Sequence, residues 1–194
     1  RMGAKYVDTG AMYRVATLAV LRAGVDPADT ARVIEATADL PLAVSDDPDS
    51  TQVLLGGEDV KDEIRGREVT RHVSAVSAIP EVRVNLVELQ RKLAREAGRA
   101  IVEGRDIGTV ICPDAAIKLY VTASDRVRAM RRAAELGIDT ETMLAELRER
   151  DRRDRERAIA PLKPAPDAVV LDTSNLTIAD AVARAIALVD QARS

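Results

Sequence analysis

Arg105 and Asp106 stand side by side between Gly104 and Gly108, just past the short run Ala100–Glu103. That run reads as a buried strand, and in an open α/β sheet ligands sit in the crevice beyond the carboxyl ends of the strands. A cation beside an anion at such an end can hold a phosphate and read a polar edge of the same small ligand. The same pair can also do no more than close a turn as an ion pair. A second segment bears on the choice. Lys5-Tyr6-Val7-Asp8 leads through Thr9-Gly10-Ala11-Met12-Tyr13 to Arg14, again a short strand running into a helix. Thr9 is expected to cap that helix through its hydroxyl. Arg14 then lies one turn inside, facing a crevice where helix amides and dipole already favour an anion.

Asp8-Thr9-Gly10-Ala11-Met12-Tyr13-Arg14 and Gly104-Arg105-Asp106-Ile107-Gly108-Thr109 together resemble the bacterial cytidylate (CMP) kinase family of nucleoside monophosphate kinases. The likeness continues through Ser74, Arg83, the Ser124–Arg132 helix and Arg150-Asp151-Arg152-Arg153-Asp154-Arg155-Glu156-Arg157 with Ala160-Pro161-Leu162. It covers nearly the whole chain in order. The resemblance implies that the γ-phosphoryl of ATP, carried with Mg²⁺, is transferred to CMP and dCMP to give CDP and dCDP, as part of cytoplasmic pyrimidine metabolism. It assigns the acceptor phosphate to Arg14, Arg105 and Arg157, whose planar guanidinium forks suit phosphate oxygens, with Thr9 in the same substrate-binding set. It assigns the base to Ser74, Arg83 and Asp106, and the ribose to Arg150 and Asp154. A carboxylate accepting from the exocyclic amine of cytosine would face a carbonyl in uracil, and a site of this kind can reject the wrong partner by up to ~10⁴-fold. Arg128 and Arg132 fall on the side that neutralises ATP phosphates as charge develops. Arg105, Arg128, Arg132 and Arg157 are therefore the candidate catalytic groups. The CMP phosphate is already an anion, so no protein general base is required.

Each assignment has a plainer competitor. Arg83 adjoins an apolar helical stripe and can be an ordinary helix-surface residue. Glu146–Arg150, Glu149–Arg153 and Asp151–Arg155 are i,i+4 pairs that would support any exposed helix by a few tenths of a kcal/mol each, on the order of 0.2–0.5. Asp8 can orient Arg14 or approach the transferred group. Competing functions are a kinase for another monophosphate such as UMP or AMP, a nucleotide-binding relative without catalysis, and an arginine-rich RNA-binding protein.

Composition narrows these. The 194 residues carry 29 Lys and Arg against 32 Asp and Glu, a net charge of −3, so nothing pulls the chain as a whole toward nucleic acid or anionic membranes. The arginines lack interleaved aromatics as stacking platforms for single strands. No apolar run approaches the roughly 20 residues needed to span a bilayer. His72 and Cys112 are the only histidine and cysteine, which excludes a Cys/His zinc cluster, and no protein-bound metal is expected. A single cysteine cannot form an internal disulfide, in keeping with a reducing cytoplasm. Cys112 is expected to be a small buried hydrophobe, and His72 a surface residue on a helix. Small-molecule nucleotides are the expected partners, and the protein is expected to act as a monomer.

The elements that must position these residues follow from periodicity. Helices are expected over Gly10–Ala23, Ala28–Asp39, Arg67–Ser77, Pro80–Ala97, Ser124–Leu136, Thr140–Arg157 and Thr177–Ala192, with Val82, Leu86, Leu89 and Leu93 forming a stripe at helical spacing. Leu42–Val44 and Gln52–Leu55 read as short strands of a small antiparallel insertion. Ala100–Glu103, Ile117–Val121 and Ala168–Leu171 read as apolar strands of a parallel sheet covered on both faces by helices. Pro161, Pro164 and Pro166 stop the long charged helix. The fold expected is a single α/β domain over residues 1–194. Residues 24–97 would form its acceptor-binding region, with the insertion at 40–60, and residues 137–160 a helical lid that closes to exclude water.

The resemblance implies a P-loop-type sheet of order 2-3-1-4-5. No G-x-x-x-x-G-K-[ST] loop, whose amides and lysine cradle ATP phosphates, occurs in the sequence, which opens at Arg1-Met2-Gly3. The first, central strand is accordingly expected to be absent from this chain. A strand, loop and helix upstream would need roughly 25–30 residues. Loss of that segment is the reading preferred to a non-catalytic relative, because a sheet without its central strand leaves backbone groups unpaired.

Overall fold

The computed structural model describes residues 3–50 and 52–192, which divide into two compact units, residues 1–107 and 108–194. In the first unit a short strand, β1 (Lys5–Asp8), runs directly into helix α1 (Thr9–Arg22). Helix α1 is buried on two sides, which explains why its sequence is apolar nearly throughout. Met12, Tyr13, Ala16 and Val20 pack with Val33 of α2 (Thr30–Thr37), Val73 and Val76 of α3 (Arg67–Val76), and Val82 and Leu86 of α4 (Pro80–Glu96). On the other side Ala11, Val15 and Leu18 meet Val53, Val60, Ile64 and Val69. Pro80 opens α4 at a position where its missing N–H costs nothing.

Between α2 and α3 lies the antiparallel insertion, with strands β2 (Leu42–Val44), β3 (Val53–Leu55) and β4 (Glu58–Asp59) in that order. The third strand and the single 3₁₀ turn Glu63–Arg65 go beyond the two strands expected; two residues are too short to show a period. Strand β5 (Ala100–Glu103) pairs in parallel with β1, Val7 opposite Val102 and Asp8 opposite Glu103. The carboxyl ends of the two strands thus finish level, which sets the Thr9 and Arg105 segments beside each other.

The chain enters the second unit through a five-residue π turn, Ile107–Ile111, which periodicity did not foresee because turns of this kind carry no repeat. A second parallel pair, β6 (Leu119–Thr122) and β7 (Val169–Asp172), is aligned with Leu119 opposite Val169. Helices α5 (Asp125–Leu136) and α6 (Thr140–Glu156) form a hairpin over a small core of Ala129, Ala133, Met143 and Leu144. Gly137 makes that reversal: at φ 65° it adopts the left-handed conformation that glycine takes without steric cost, while Asp139 caps α6 by accepting from the Thr142 amide. Helix α7 (Ile178–Gln191) closes the described chain.

The α/β class and parallel pairing follow the expectation. Helices flank the strand pairs, while Ile101, Val121 and Val170 are more than half exposed and α7 has no buried residue. In the second pair Val121 stands opposite Leu171 and Val170 opposite Tyr120, so each face carries an exposed apolar residue.

Candidate active site

In the first unit the site is built on the β1–α1 and β5 junctions. Asp8, not Thr9, caps α1: its Oδ1 accepts from the Ala11 amide at 2.9 Å. Thr9 already has helical geometry as the first residue of α1, so its hydroxyl is in no position to cap. It donates instead to the Glu103 carbonyl at 2.7 Å, tying α1 to the end of β5. Gly104 is required by that tie, because a Cβ there would lie 2.2 Å from Thr9 Oγ1 and 2.7 Å from Ile107 Cδ1. Nearby, the Tyr6 hydroxyl donates to the Glu103 carboxylate, and burial together with that carboxylate pushes the Tyr6 phenol well above its ordinary range. Arg14 is half-buried, and its Nη1 donates to the Ile64 carbonyl at 3.0 Å and to Thr70 Oγ1 at 2.9 Å. Arg105 is half-buried directly after Gly104.

Arg83 and Asp106 come together as a sealed ion pair, their side chains 4% and 5% exposed. Arg83 is therefore an interior residue and not a helix-surface one. Its Nη1 donates to the Ser77 carbonyl at 3.0 Å, and its guanidinium lies 5.2 Å above the centre of the Tyr13 ring. Ser77 in turn donates its hydroxyl to the carbonyl of buried Ser74 at 3.3 Å. The three base-reading candidates thus share one short chain of contacts at the end of α3. Ser77 and Tyr13 were not singled out by sequence reasoning. Ser77 contributes a backbone carbonyl, which any residue type would supply, whereas Tyr13 could have been noticed as one of only three tyrosines. His72 is a half-buried helix residue, 30% exposed at its side chain and 3.8 Å from Glu68.

In the second unit, Arg157 and Asp154 approach to 3.9 Å, both nearly sealed. Arg157 Nε donates to the Ala160 carbonyl at 2.6 Å. Ala160 is held at φ 50°, a left-handed conformation costing a non-glycine residue roughly 1–2 kcal/mol. The Leu162 amide returns to the Asp154 carbonyl at 2.7 Å. The Ala160-Pro161-Leu162 turn is therefore folded back onto the end of α6. Arg150 is half-buried on α6. The expected helix pairs appear for Glu149–Arg153 at 2.8 Å and Asp151–Arg155 at 4.0 Å.

The arginine cluster of α5 separates by partner. Arg128 donates through Nη2 to Asp125 at 2.5 Å, through Nη1 to Asp151 at 2.7 Å and through Nε to the Ala123 carbonyl at 3.2 Å. Burial alone would weaken its charge, but the two carboxylates outweigh this and raise its pKa. Arg131 is structural, donating to Thr173 and the Leu176 carbonyl. Arg132 pairs with Glu135 at 2.8 Å, and Arg126 with Glu141 at 3.1 Å. Cys112 is half-buried, not sealed in the core. The adjacent π turn holds Gly108 against Lys118, whose ammonium pairs with Asp167. Among the described residues no group of three or more His, Cys, Asp or Glu side chains is arranged to hold a metal ion, and no helix is long and apolar enough to cross a membrane.

Comparison with known proteins bears on what this chemistry serves. A family model described as cytidylate kinase matches residues 1–191. A protein of Corynebacterium efficiens named cytidylate kinase is 60% identical over 195 residues, spanning 98% of this chain and 85% of its own length. Its namesakes in Corynebacterium glutamicum and Rhodococcus opacus are 58% and 54% identical, with 98% of this chain covered in each case and 85% and 86% of their own lengths.

Proposed function

The chain belongs to the cytidylate kinase family, and from that premise we infer that it is a phosphotransferase moving the γ-phosphoryl group of ATP to CMP, and also to dCMP. A phosphate oxygen of the acceptor attacks the γ-phosphorus, the bond from that phosphorus to the bridging oxygen breaks, and ADP leaves with the bridging electron pair. The attacking oxygen is already anionic, so the protein has positioning and charge neutralisation to supply. Mg²⁺ enters as part of the nucleotide substrate, in keeping with its preference for one or two carboxylates plus substrate phosphates.

The buried Arg83–Asp106 pair carries the choice of base. A donor fork and an acceptor carboxylate, each under 6% exposed, are held in orientation by the Tyr13 ring and the Ser77 carbonyl. Asp106 accepts from the exocyclic amine of cytosine, and Arg83 donates to the ring nitrogen and carbonyl. Uracil offers Asp106 a carbonyl where cytosine offers an amine, so the carboxylate oxygen turned to the base meets an acceptor instead of a donor. Ser74 completes this set.

Arg14, Arg105 and Arg157 take the acceptor phosphate, with Thr9 fixing the strand end from which Arg105 projects. Arg150 and Asp154 take the ribose. The 3.9 Å approach of Asp154 to Arg157 supports one segment serving both jobs. Arg128 and Arg132 take the ATP phosphates. Arg132 can surrender its Glu135 partner cheaply, since a solvated i,i+3 pair is worth at most ~1 kcal/mol. Residues 24–97 act as the acceptor-binding region and 137–160 as the lid. The parallel pairs β1–β5 and β6–β7 are compatible with the 2-3 and 4-5 halves of a 2-3-1-4-5 sheet. The substrates are water-soluble nucleotides, and the enzyme acts on them in the cytoplasm as a monomer.

The test is a panel of CMP, dCMP, UMP and AMP with the natural kinase and its Asp106→Ala variant. The native protein should turn over CMP and dCMP far faster than UMP or AMP, and the variant should lose most of its preference for CMP over UMP. Full cytosine preference in Asp106→Ala would remove Asp106 from the base-reading set.

A further inference from the structure

Along α6 the inward-facing positions run Leu144, Leu147, Asp151 and Asp154, spaced by three, four and three residues, the spacing of one continuous face. Leu144 lies in the core shared with α5 and Leu147 packs against it. At Asp151 the same face turns from leucine to carboxylate while staying as buried, at 3% exposure. A sealed carboxylate is costly without a charged partner, and apolar residues of similar volume often serve stability as well or better. The placement of Asp151 therefore asks for a role besides holding the hairpin.

Asp151 pairs with Arg128 of α5, through Nη1 at 2.7 Å, and with the more exposed Arg155 at 4.0 Å. We propose that Asp151 is a positioning residue that aims the Arg128 guanidinium at the phosphates of ATP. The proposal rests on the reading above that Arg128 is a phosphate ligand. The Ala123 carbonyl fixes Nε at 3.2 Å, so Asp151 and Ala123 together define the plane of the fork. Asp125 holds the remaining nitrogen at 2.5 Å, but its side chain is 41% exposed and also meets Arg148 at 3.4 Å. Asp125 is thus the partner an incoming phosphate oxygen displaces, while Asp151, 4% exposed at its side chain, stays. An arginine held this way loses less conformational freedom when it meets phosphate.

The test compares three variants of the natural kinase by steady-state kinetics and thermal melting. Asp151→Asn should raise KM for ATP by roughly ten-fold or more, the loss of one hydrogen bond to a charged group, with KM for CMP within two-fold of native. Asp151→Leu continues the apolar face and leaves Arg128, 29% exposed at its side chain, with Asp125 and the Ala123 carbonyl, so its melting temperature should fall only slightly while KM for ATP rises as in Asp151→Asn. That divergence is one a purely structural role would not produce, and it remains readable if the Asn variant folds poorly. Arg128→Lys should also raise KM for ATP. If Arg128→Lys does so and both Asp151 variants leave it unchanged, the positioning role is wrong while the phosphate role of Arg128 stands. If Arg128→Lys leaves ATP kinetics unchanged, the phosphate role fails and the positioning role with it.

Discussion

Removing one member of the Arg83–Asp106 pair should be far more damaging than removing both. The two side chains are 4% and 5% exposed, so Asp106→Ala leaves a guanidinium sealed in the interior, with the Ser77 carbonyl and the Tyr13 ring but no carboxylate to balance its charge among the described residues. Breaking a buried pair in this way costs ~3–5 kcal/mol. For a chain of this size each kcal/mol lowers the melting temperature by about 2–4 °C, giving a fall of roughly 6–20 °C. In the double variant Arg83→Met with Asp106→Leu both charges are gone and comparable volume is retained. The remaining loss is the donor to the Ser77 carbonyl, about 1 kcal/mol, so the double variant should melt above Asp106→Ala. Circular-dichroism melts of the native protein, Arg83→Met, Asp106→Leu and the double variant form a thermodynamic cycle. A coupling of several kcal/mol is expected. If the two single losses simply add, or if Asp106→Ala costs under ~1 kcal/mol, the pair is not the buried, mutually dependent unit described.

Gly104→Ala should destabilise the protein by roughly 2–4 kcal/mol, combining overpacking with loss of the Thr9–Glu103 bond, because its Cβ would sit 2.2 Å from the Thr9 hydroxyl; the same change made alongside Thr9→Ala should cost measurably less, as read by denaturant unfolding. On helices α5 and α6, hydrogen bonds from Arg128 hold Asp125 below the usual carboxylate range, and those from Arg152 and Arg153 hold Glu149 down to about 2. Folded values below unfolded ones mean that both contributions are complete above the unfolded pKa values of about 4 and are lost as pH falls toward 2. Melting temperature followed from pH 6 downward should therefore begin to fall near pH 4, and 0.5 M salt should reduce that fall. Onset near neutrality would point to other groups.

The amphipathic helices and the apolar strands were legible because burial imposes a period on the residues facing the core, as in Val82 and Leu86 of α4. The Arg105–Asp106 segment and Arg14 could be placed at strand ends because a short apolar run precedes each of them. What stayed hidden depends on geometry that sequence spacing does not encode. Asp8 rather than Thr9 caps α1 because the two differ by one residue in where the helix begins, and both residue types cap well. Arg83 is assigned to base reading by the resemblance alone, and its place beside an apolar stripe leaves a helix-surface reading open; the partner that makes its burial tolerable lies 23 positions away. Asp151 lies within an arginine-rich run whose i,i+4 pairs conceal that it shares a face with Leu144 and Leu147. The exposure of Ile101, Val121 and Val170 was equally unreadable, since an apolar strand looks the same whether one face or both are covered.

The most direct measurement is a thermal melt of this chain with CMP at about 100 times its dissociation constant, beside AMP and UMP at the same concentration. The residues assigned to cytosine all lie within it, so acceptor binding is read without turnover. At that ligand excess stability rises by ~2.7 kcal/mol, a shift of roughly 5–10 °C. A shift of that size with CMP and little or none with AMP or UMP is the expected result. A cooperative melt that responds to AMP or UMP as strongly as to CMP, or to none of the three, would contradict the assignment of Ser74, Arg83 and Asp106 as a cytosine-reading site.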